Sequence, residues 1–384
     1  MNSFLDRLII DKSIADELEF NPYYPLINSG LADEVQIDDE NFIDLASNDY
    51  LGLSSHPEVK NAIIEGVKKF GASGCGTPIA TGYSTIFQQT EQRISSFLNL
   101  DDSIIFPSCY QANLSLFSAI VHPNDVIIFD HYVHASMIHG IKSAGCKIKP
   151  FKHNDMNHLE KVLKRSQDFE QIFVVTESVF STEGAIAPFA EIVELCKKFD
   201  ATPVVDDSHG IGAIGENGRG ILEYVKNFNG IYTASLGKAI ANAGGVIAGD
   251  ANLIDFLRYS CSGLIYSTAL PSSIFFGIAK VLDIIEREFA QRSHKMWLSK
   301  RRIEEALHKT GFKLADGKAP IISIVCKNPL ETIKLSKILY ENHILCTPFI
   351  PPSVPPDSGV VRLIAGANLK TEQVDRIIDV IGKI

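Results

Sequence analysis

No uncharged apolar run in this chain approaches the roughly 20 residues that a membrane span needs. The N-terminus, Met1-Asn2-Ser3-Phe4-Leu5-Asp6-Arg7, soon carries charge of both signs. The chain therefore reads as cytoplasmic, with no membrane span. Basic residues are also short, 36 against 46 acidic, for a net charge of −10. That balance lacks the positive footprint of a nucleic-acid or anionic-membrane partner, so any phosphate must be held by local geometry. The seven cysteines, at 75, 109, 146, 196, 261, 326 and 346, are odd in number and never spaced C-x-x-C. Neither a disulfide framework nor a thiolate zinc site is indicated, and they read as buried or incidental thiols. Repeats and low-complexity tails are absent as well.

What is present is length and apolar content: 384 residues, 45% hydrophobic and 21% charged, enough for a large core. Residues 1–45 give a helical lead-in (Phe4, Leu5, Leu8, Ile9) and an alternating hairpin over 34–45. A polar turn, Asn48-Asp49-Tyr50-Leu51-Gly52-Leu53, precedes a helix from Pro57. The stretch from Gly71 to Gly82 is too rich in Gly, Thr and Pro for regular structure; it is a loop for close backbone approach to a ligand, or an ordinary linker. From 103 onward short apolar runs (103–106, 125–130, 148–151, 171–176, 202–205) alternate with helical spacing. The pattern predicts an α/β fold with a mostly parallel sheet sandwiched by helices. From about 280 it changes to a charged helix (283–302), a strand at 321–325, a helix from Leu330, a proline-rich loop at 348–356, a strand at 360–364 and a last helix. We expect a large α/β domain over 46–285 and a small α+β domain over 286–384, with 1–45 packing on the latter.

In such a fold ligand groups gather beyond the carboxyl ends of the strands. Ser108 to Asn113 begin the helix after Ile104-Ile105-Phe106, and His131 and His134 follow Ile127-Ile128-Phe129. Glu177 follows Phe173-Val174-Val175, Asp206, Asp207 and His209 follow Val204-Val205, and Lys238 follows Ile231-Tyr232-Thr233. Any one can be structural; five on one edge are hard to explain by packing. Lys238 stands out because no other charge occurs from Gly230 to Gly249. Alone it reads as a snorkelling lysine, but a desolvated lysine is an amine nucleophile able to form a Schiff base.

A lysine of that kind beside an aspartate suggests pyridoxal phosphate. That cofactor needs a Schiff-base lysine, an acid for the pyridine nitrogen, a flat group over the ring and a phosphate cup. Asp206 can serve the ring nitrogen, His209 the ring hydroxyl and His134 the ring face. Ser235, Ser108 and the N–H groups of Cys109 and Tyr110 can serve the phosphate. Gly210-Ile211-Gly212-Ala213-Ile214-Gly215 matches a dinucleotide fingerprint, but turn residues follow it where a helix is required. His131, His134 and His139 with Asp130, or Asp206 with His209, are the alternative metal ligands; neither set has the H-E-x-x-H spacing, and a metal leaves Lys238 unexplained. No metal is expected.

The sequence resembles the α-oxoamine synthases, pyridoxal-phosphate enzymes of fold type I that join an amino acid to an acyl-CoA with loss of CO2. The resemblance runs from about Asp44 to the C-terminus. It is carried by 48–53, His134-Ala135-Ser136, His153-Asn154-Asp155, Thr176-Glu177-Ser178-Val179-Phe180-Ser181, Val205-Asp206-Asp207-Ser208-His209-Gly210, Leu236-Gly237-Lys238 and Ile265-Tyr266-Ser267-Thr268-Ala269-Leu270-Pro271. It implies Lys238 as the Schiff-base lysine, Asp206 and His209 holding the ring, His134 stacked on it and Ser235 on the phosphate, with Glu177 and Ser181 in the cofactor set. Ser267 and Thr268 would reach the phosphate of a neighbouring subunit, making a homodimer with shared sites. Asn48 and Arg362 fall where the family holds the amino-acid carboxylate. The substrates implied are an amino acid, glycine or L-alanine, and an acyl-CoA or acyl-carrier-protein thioester, the pattern lying nearest the biotin-pathway branch. Pro78, Ile79 and Phe87 depart from the family's usual Gly, Arg or His, and Ile350 from an arginine of that branch. A fold-type-I aminotransferase shares the lysine and the aspartate, and a non-enzymatic binding module is the third reading. Taken singly, 48–53 is a simple turn and 265–271 a core strand ending at proline.

Overall fold

The structure is a computed structural model that describes residues 4–8 and 10–384; Ile9 of the expected lead-in lies outside the described residues. The strands are β1 (Glu34–Ile37), β2 (Glu40–Asp44), β3 (Asp102–Phe106), β4 (Val126–Asp130), β5 (Lys147–Phe151), β6 (Ile172–Glu177), β7 (Thr202–Asp206), β8 (Ile231–Ser235), β9 (Gly245–Gly249), β10 (Ile321–Cys326), β11 (Ile344–Leu345), β12 (Thr347–Phe349) and β13 (Gly359–Ile364). Seven of them form one sheet in the order β3-β9-β8-β7-β6-β4-β5. Only β9 runs against its neighbours, β3 and β8; the other pairs are parallel. Burial on both faces explains the unbroken apolar runs: every residue of β6 and β9 is buried. The sequence reading found six of these strands and missed β9, whose Gly-Val-Ile-Ala-Gly is too short and glycine-flanked to separate from the turn before it.

The two smaller sheets join the ends of the chain. β2 pairs in parallel with β11, Ile43 opposite Ile344, and β10 and β12 flank β13 antiparallel. The helix Ser272–Lys309 carries both cores: Phe275, Ile278 and Ile285 pack with the large sheet, Ile303 and Leu307 with the small one.

Three local expectations differ from what the chain does. The stretch 265–271 is not a strand; a short helix, Ser262–Ile265, ends there and Tyr266 is exposed. The 71–82 loop contains a π-helical turn, Pro78–Gly82, closed by Gly82 N–H donating to Thr77 O at 2.9 Å. A Cβ on Gly82 would lie 2.6 Å from Ala269 Cβ, so the turn needs glycine where it crosses the chain. The lead-in is only a 3-10 turn, Leu5–Arg7, then a helix Ser13–Leu18.

Phe87 is buried, stacked on Phe275 with centroids 4.2 Å apart and 22° between planes. This is an apolar seat between helices, unsuited to a histidine. Phe87→Ala is expected to cost about 3–5 kcal/mol, read as a lower urea midpoint of the cofactor-free protein; an unchanged midpoint would contradict this packing account.

Candidate active site

Parallel strands put their carboxyl ends on one edge, and there a cavity of about 440 Å³ opens, lined among others by Ser108, His134, Glu177, Asp206, Ser235 and Lys238. Cys109, Tyr110 and His209 line it too. Lys238 follows β8 through the turn Leu236 to Asn242, which is pinned by Leu236 N–H to Gly244 O at 2.9 Å and Asn242 N–H to Leu236 O at 2.9 Å. Lys238 is half-buried; burial pushes its pKa down, against the upward pull of Asp206.

Asp206 ends β7 and is buried. Its Oδ1 accepts the Ser208 N–H at 2.9 Å and its Oδ2 the Asn113 amide at 2.7 Å, with the Cys109 thiol 3.9 Å away. Burial and the nearby Asp206 carboxylate push the Cys109 thiol up, so it stays a neutral neighbour. His209 is buried and faces Tyr50, whose hydroxyl lies 2.8 Å from Nδ1. Burial raises Tyr50 and depresses His209, which favours a neutral phenol against a neutral imidazole. His134 caps the helix Ala135–Ser143 and stays partly exposed, with the Ser136 hydroxyl 2.8 Å from Nδ1. The His134 N–H donates to the Glu177 carboxylate. Burial foremost, then Asp206, raises the pKa of Glu177 well above the usual range.

The helix Cys109–Ile120 opens at the cavity. Ser108 caps it through Gln111 N–H at 3.1 Å, which leaves Cys109 and Tyr110 at the head of the helix, where N–H groups have no intrahelical acceptor. A Cβ on Gly245 would lie 2.3 Å from Cys109 Cα, so glycine in β9 lets this helix start against the sheet. Ser235 Oγ accepts the Gly237 N–H at 3.2 Å, and the Ser235 N–H donates to Ser208 Oγ at 2.8 Å.

The remaining candidates stand outside the cavity. Buried Arg362 donates through NH1 to Ser181 O at 3.1 Å and lies over the Phe349 ring, 4.9 Å from its centroid; its charge helps depress His209 and Lys238. Its Nε, like Asn48 Oδ1, is buried without a partner among the described residues. Ser267 takes a hydrogen bond from Gln111 of the same chain, and Thr268 is exposed. The alternative metal ligands are engaged elsewhere: His131 Nδ1 with Phe151 O at 3.0 Å, His139 with Tyr110, and Asp130 with His153 at 3.1 Å. Gly210 wraps Asp207, where a Cβ would lie 1.9 Å from Oδ1, so the glycine pattern serves a turn. One further cluster, His56, Glu58 and Glu288, has metal-like spacing, but both carboxylates are taken, Glu58 by Arg287 and Glu288 by Arg292, each at 2.7 Å.

Residues 40–381 match the family model described as aminotransferase class I and II. The chain is 31% identical to an 8-amino-7-oxononanoate synthase from Treponema denticola, covering 100% of this chain and 98% of the relative. The chain belongs to the aminotransferase class I and II family, among its α-oxoamine synthases. A serine palmitoyltransferase from Bacteriovorax stolpii is 30% identical over 98% of the chain and 90% of its own length. The solved serine palmitoyltransferase of Sphingomonas wittichii, 26% identical, has a TM-score of 0.91 with 98% of both chains covered. The fold is the fold-type-I transferase expected from the sequence, and the cofactor of this enzyme is pyridoxal 5′-phosphate.

The residues present fit that cofactor. A lysine with a depressed pKa, an anchored carboxylate, a partly exposed imidazole and an open helix N-terminus face one cavity. Sequence reasoning missed Tyr50 and Asn113 as members of the site. Tyr50 was visible in the polar turn 48–53, but nothing in the sequence shows that it reaches His209, 159 residues away.

Asp207, beneath the site, is buried and pushed up to about 7, while its Oδ2 accepts the Tyr232 hydroxyl at 3.0 Å. The native state thus holds a proton that the unfolded chain has lost above the ordinary carboxylate value of 3.8. Stability from this group is present at low pH and declines as pH rises from about 4 to 7. Against Asp207→Asn, the parent's urea midpoint is expected to fall progressively over that range; a constant difference would contradict the assignment.

Proposed function

We propose that the chain condenses an amino acid with an acyl thioester, losing CO2 and free thiol, to give an α-amino ketone, in the manner of the 8-amino-7-oxononanoate synthases it resembles. The observation that carries this is Lys238, half-buried and depressed, sharing a cavity with Asp206 and His134. Pyridoxal 5′-phosphate, when bound, supplies an aldehyde for the amine and a ring that accepts the electron pair left at the α-carbon. In this reading Lys238 Nζ would hold the cofactor's aldehyde carbon and, in its unprotonated form, would take the proton from the substrate α-carbon. Asp206, held by Asn113 and Ser208, would pair with the ring nitrogen, His209 would meet the ring hydroxyl and His134 would cover the ring face. Ser108, the Cys109 and Tyr110 N–H groups and Ser235 would hold the phosphate, with Ser267 and Thr268 of a second copy, and Glu177 and Ser181 would complete the set. Arg362, whose Nε has no partner among the described residues, binds the amino-acid carboxylate, with Asn48 donating through its amide N–H.

Residues 46–285 act as the cofactor-binding domain, and 286–384 with 1–45 as the smaller one. The working unit is a homodimer: Phe256, Tyr259 and Tyr266 are 52%, 72% and 83% exposed, an apolar display suited to a second copy. Seven unpaired cysteines support a cytoplasmic location.

Ile350 favours a second reading of the acyl chain. A buried distal carboxylate, as in pimeloyl-CoA, needs a donor, which Ile350 does not supply, and the serine palmitoyltransferase likeness points the same way, to an uncharged acyl chain.

The test is release of free thiol by the holoenzyme given glycine, alanine or serine with pimeloyl-CoA or an uncharged acyl-CoA of similar length. Thiol release with a preference for pimeloyl-CoA is expected, reduced about 10³-fold or more in Lys238→Ala. Preference for the uncharged chain selects the second reading; amino transfer to a keto acid without thiol release overturns both.

A further inference from the structure

Asp206 and His134 reach the cavity from different elements, the end of β7 and the head of the helix Ala135–Ser143. Asn113, wholly buried on the helix Cys109–Ile120, joins them. Its Nδ2 has two hydrogens and two acceptors, Asp206 Oδ2 at 2.7 Å and Ser136 Oγ at 3.0 Å. A carboxylate accepts and does not donate, which sets the amide nitrogen on this side. The Ser136 hydroxyl accepts from Asn113, so its single hydrogen is directed to His134 Nδ1 at 2.8 Å. The Ser136 N–H lies 3.2 Å from the same nitrogen. With two donors aimed at it, Nδ1 carries no hydrogen, and the imidazole proton belongs on Nε2.

We propose that Asn113 and Ser136 are positioning residues that tie Asp206 to His134 and fix His134 as the neutral Nε2–H form, a hydrogen-bond donor toward the bound reactants. Asn113 Oδ1 is buried without a partner among the described residues, which leaves its desolvation uncompensated. A side chain chosen for packing would not incur it; one chosen for its two donors does. The relay is directional: turning the amide over sets Oδ1 against Asp206, and moving the imidazole proton to Nδ1 sets a donor against the Ser136 N–H. Partial burial depresses His134, which favours the neutral ring. The catalytic bearing of this relay rests on the proposed reading of the site; the position of the proton does not.

The experiment is long-range 1H–15N correlation spectroscopy of holoenzyme labelled with 15N-histidine, with His134 assigned by its loss in His134→Gln. His134 is expected as a single Nε2–H tautomer in the parent and as a mixture of tautomers in Ser136→Ala and Asn113→Leu. His209, whose Nδ1 is held by Tyr50, stays unchanged in both. The same variants are expected to lose about 10-fold in kcat with KM for the amino acid nearly constant. A His134 proton on Nδ1 in the parent, or an unaltered Nε2–H tautomer in Ser136→Ala, overturns the proposal. If Asn113→Leu does not fold, Ser136→Ala decides alone. Absence of thiol release by the parent with the tautomer in place would refute the proposed reaction and leave the relay standing.

Discussion

A primary amine kept poor in water is the constraint on which the rest of this structure depends. Moving an ammonium out of water costs several kcal/mol unless an opposite charge compensates it. Here compensation is partial: Asp206 draws Lys238 toward the charged form, yet burial outweighs it. Each pKa unit so gained is about 1.4 kcal/mol of preference for the neutral amine. The arrangement survives because Asp206 is already bonded to Asn113 and the Ser208 N–H, leaving less of it for Lys238. The uncharged stretch around Lys238 and the glycines of the following turn and β9 serve the same end, letting backbone close in where longer side chains would bring water.

The large sheet was legible because strands buried on both faces read as short apolar runs, and alternation with helical spacing dictates parallel order. Strand ends follow from that order, so Lys238, Asp206, His209 and His134 were legible as one group before their distances were known. Other parts depend on long-range geometry. β9 is five residues bounded by glycine and shows its role only by pairing with β3 and β8. Tyr50 and Asn113 stand in stretches the sequence singles out, 48–53 and 108–113, but their partners, His209 and Asp206, are brought close only by the fold. The π-helical turn at Pro78–Gly82 is set by its crossing with Ala269, and a stretch rich in Gly, Thr and Pro does not specify that.

The departures from the family pattern divide by what surrounds them. Phe87 sits in an aromatic stack with Phe275 and Tyr83, so its replacement of a histidine is a change of packing. Ile79 is 56% exposed and Pro78 opens the π-helical turn, so both lie on a surface turn and not in the core. Ile350 directly follows β12, whose Phe349 ring lies under the Arg362 guanidinium. Packing explains the first departure; the others have no such packing account.

The central claim is that the fold lowers the pKa of Lys238, so that it yields the neutral amine more readily than a solvated lysine does. The direct measurement is the pH dependence of competitive labelling of Lys238 by a trace amine-reactive reagent in the cofactor-free protein, quantified by mass spectrometry of its peptide. The account predicts half-maximal labelling below the ordinary lysine value of 10.5, and below that of the surface lysines in the same digest. A Lys238 curve that coincides with theirs would contradict it.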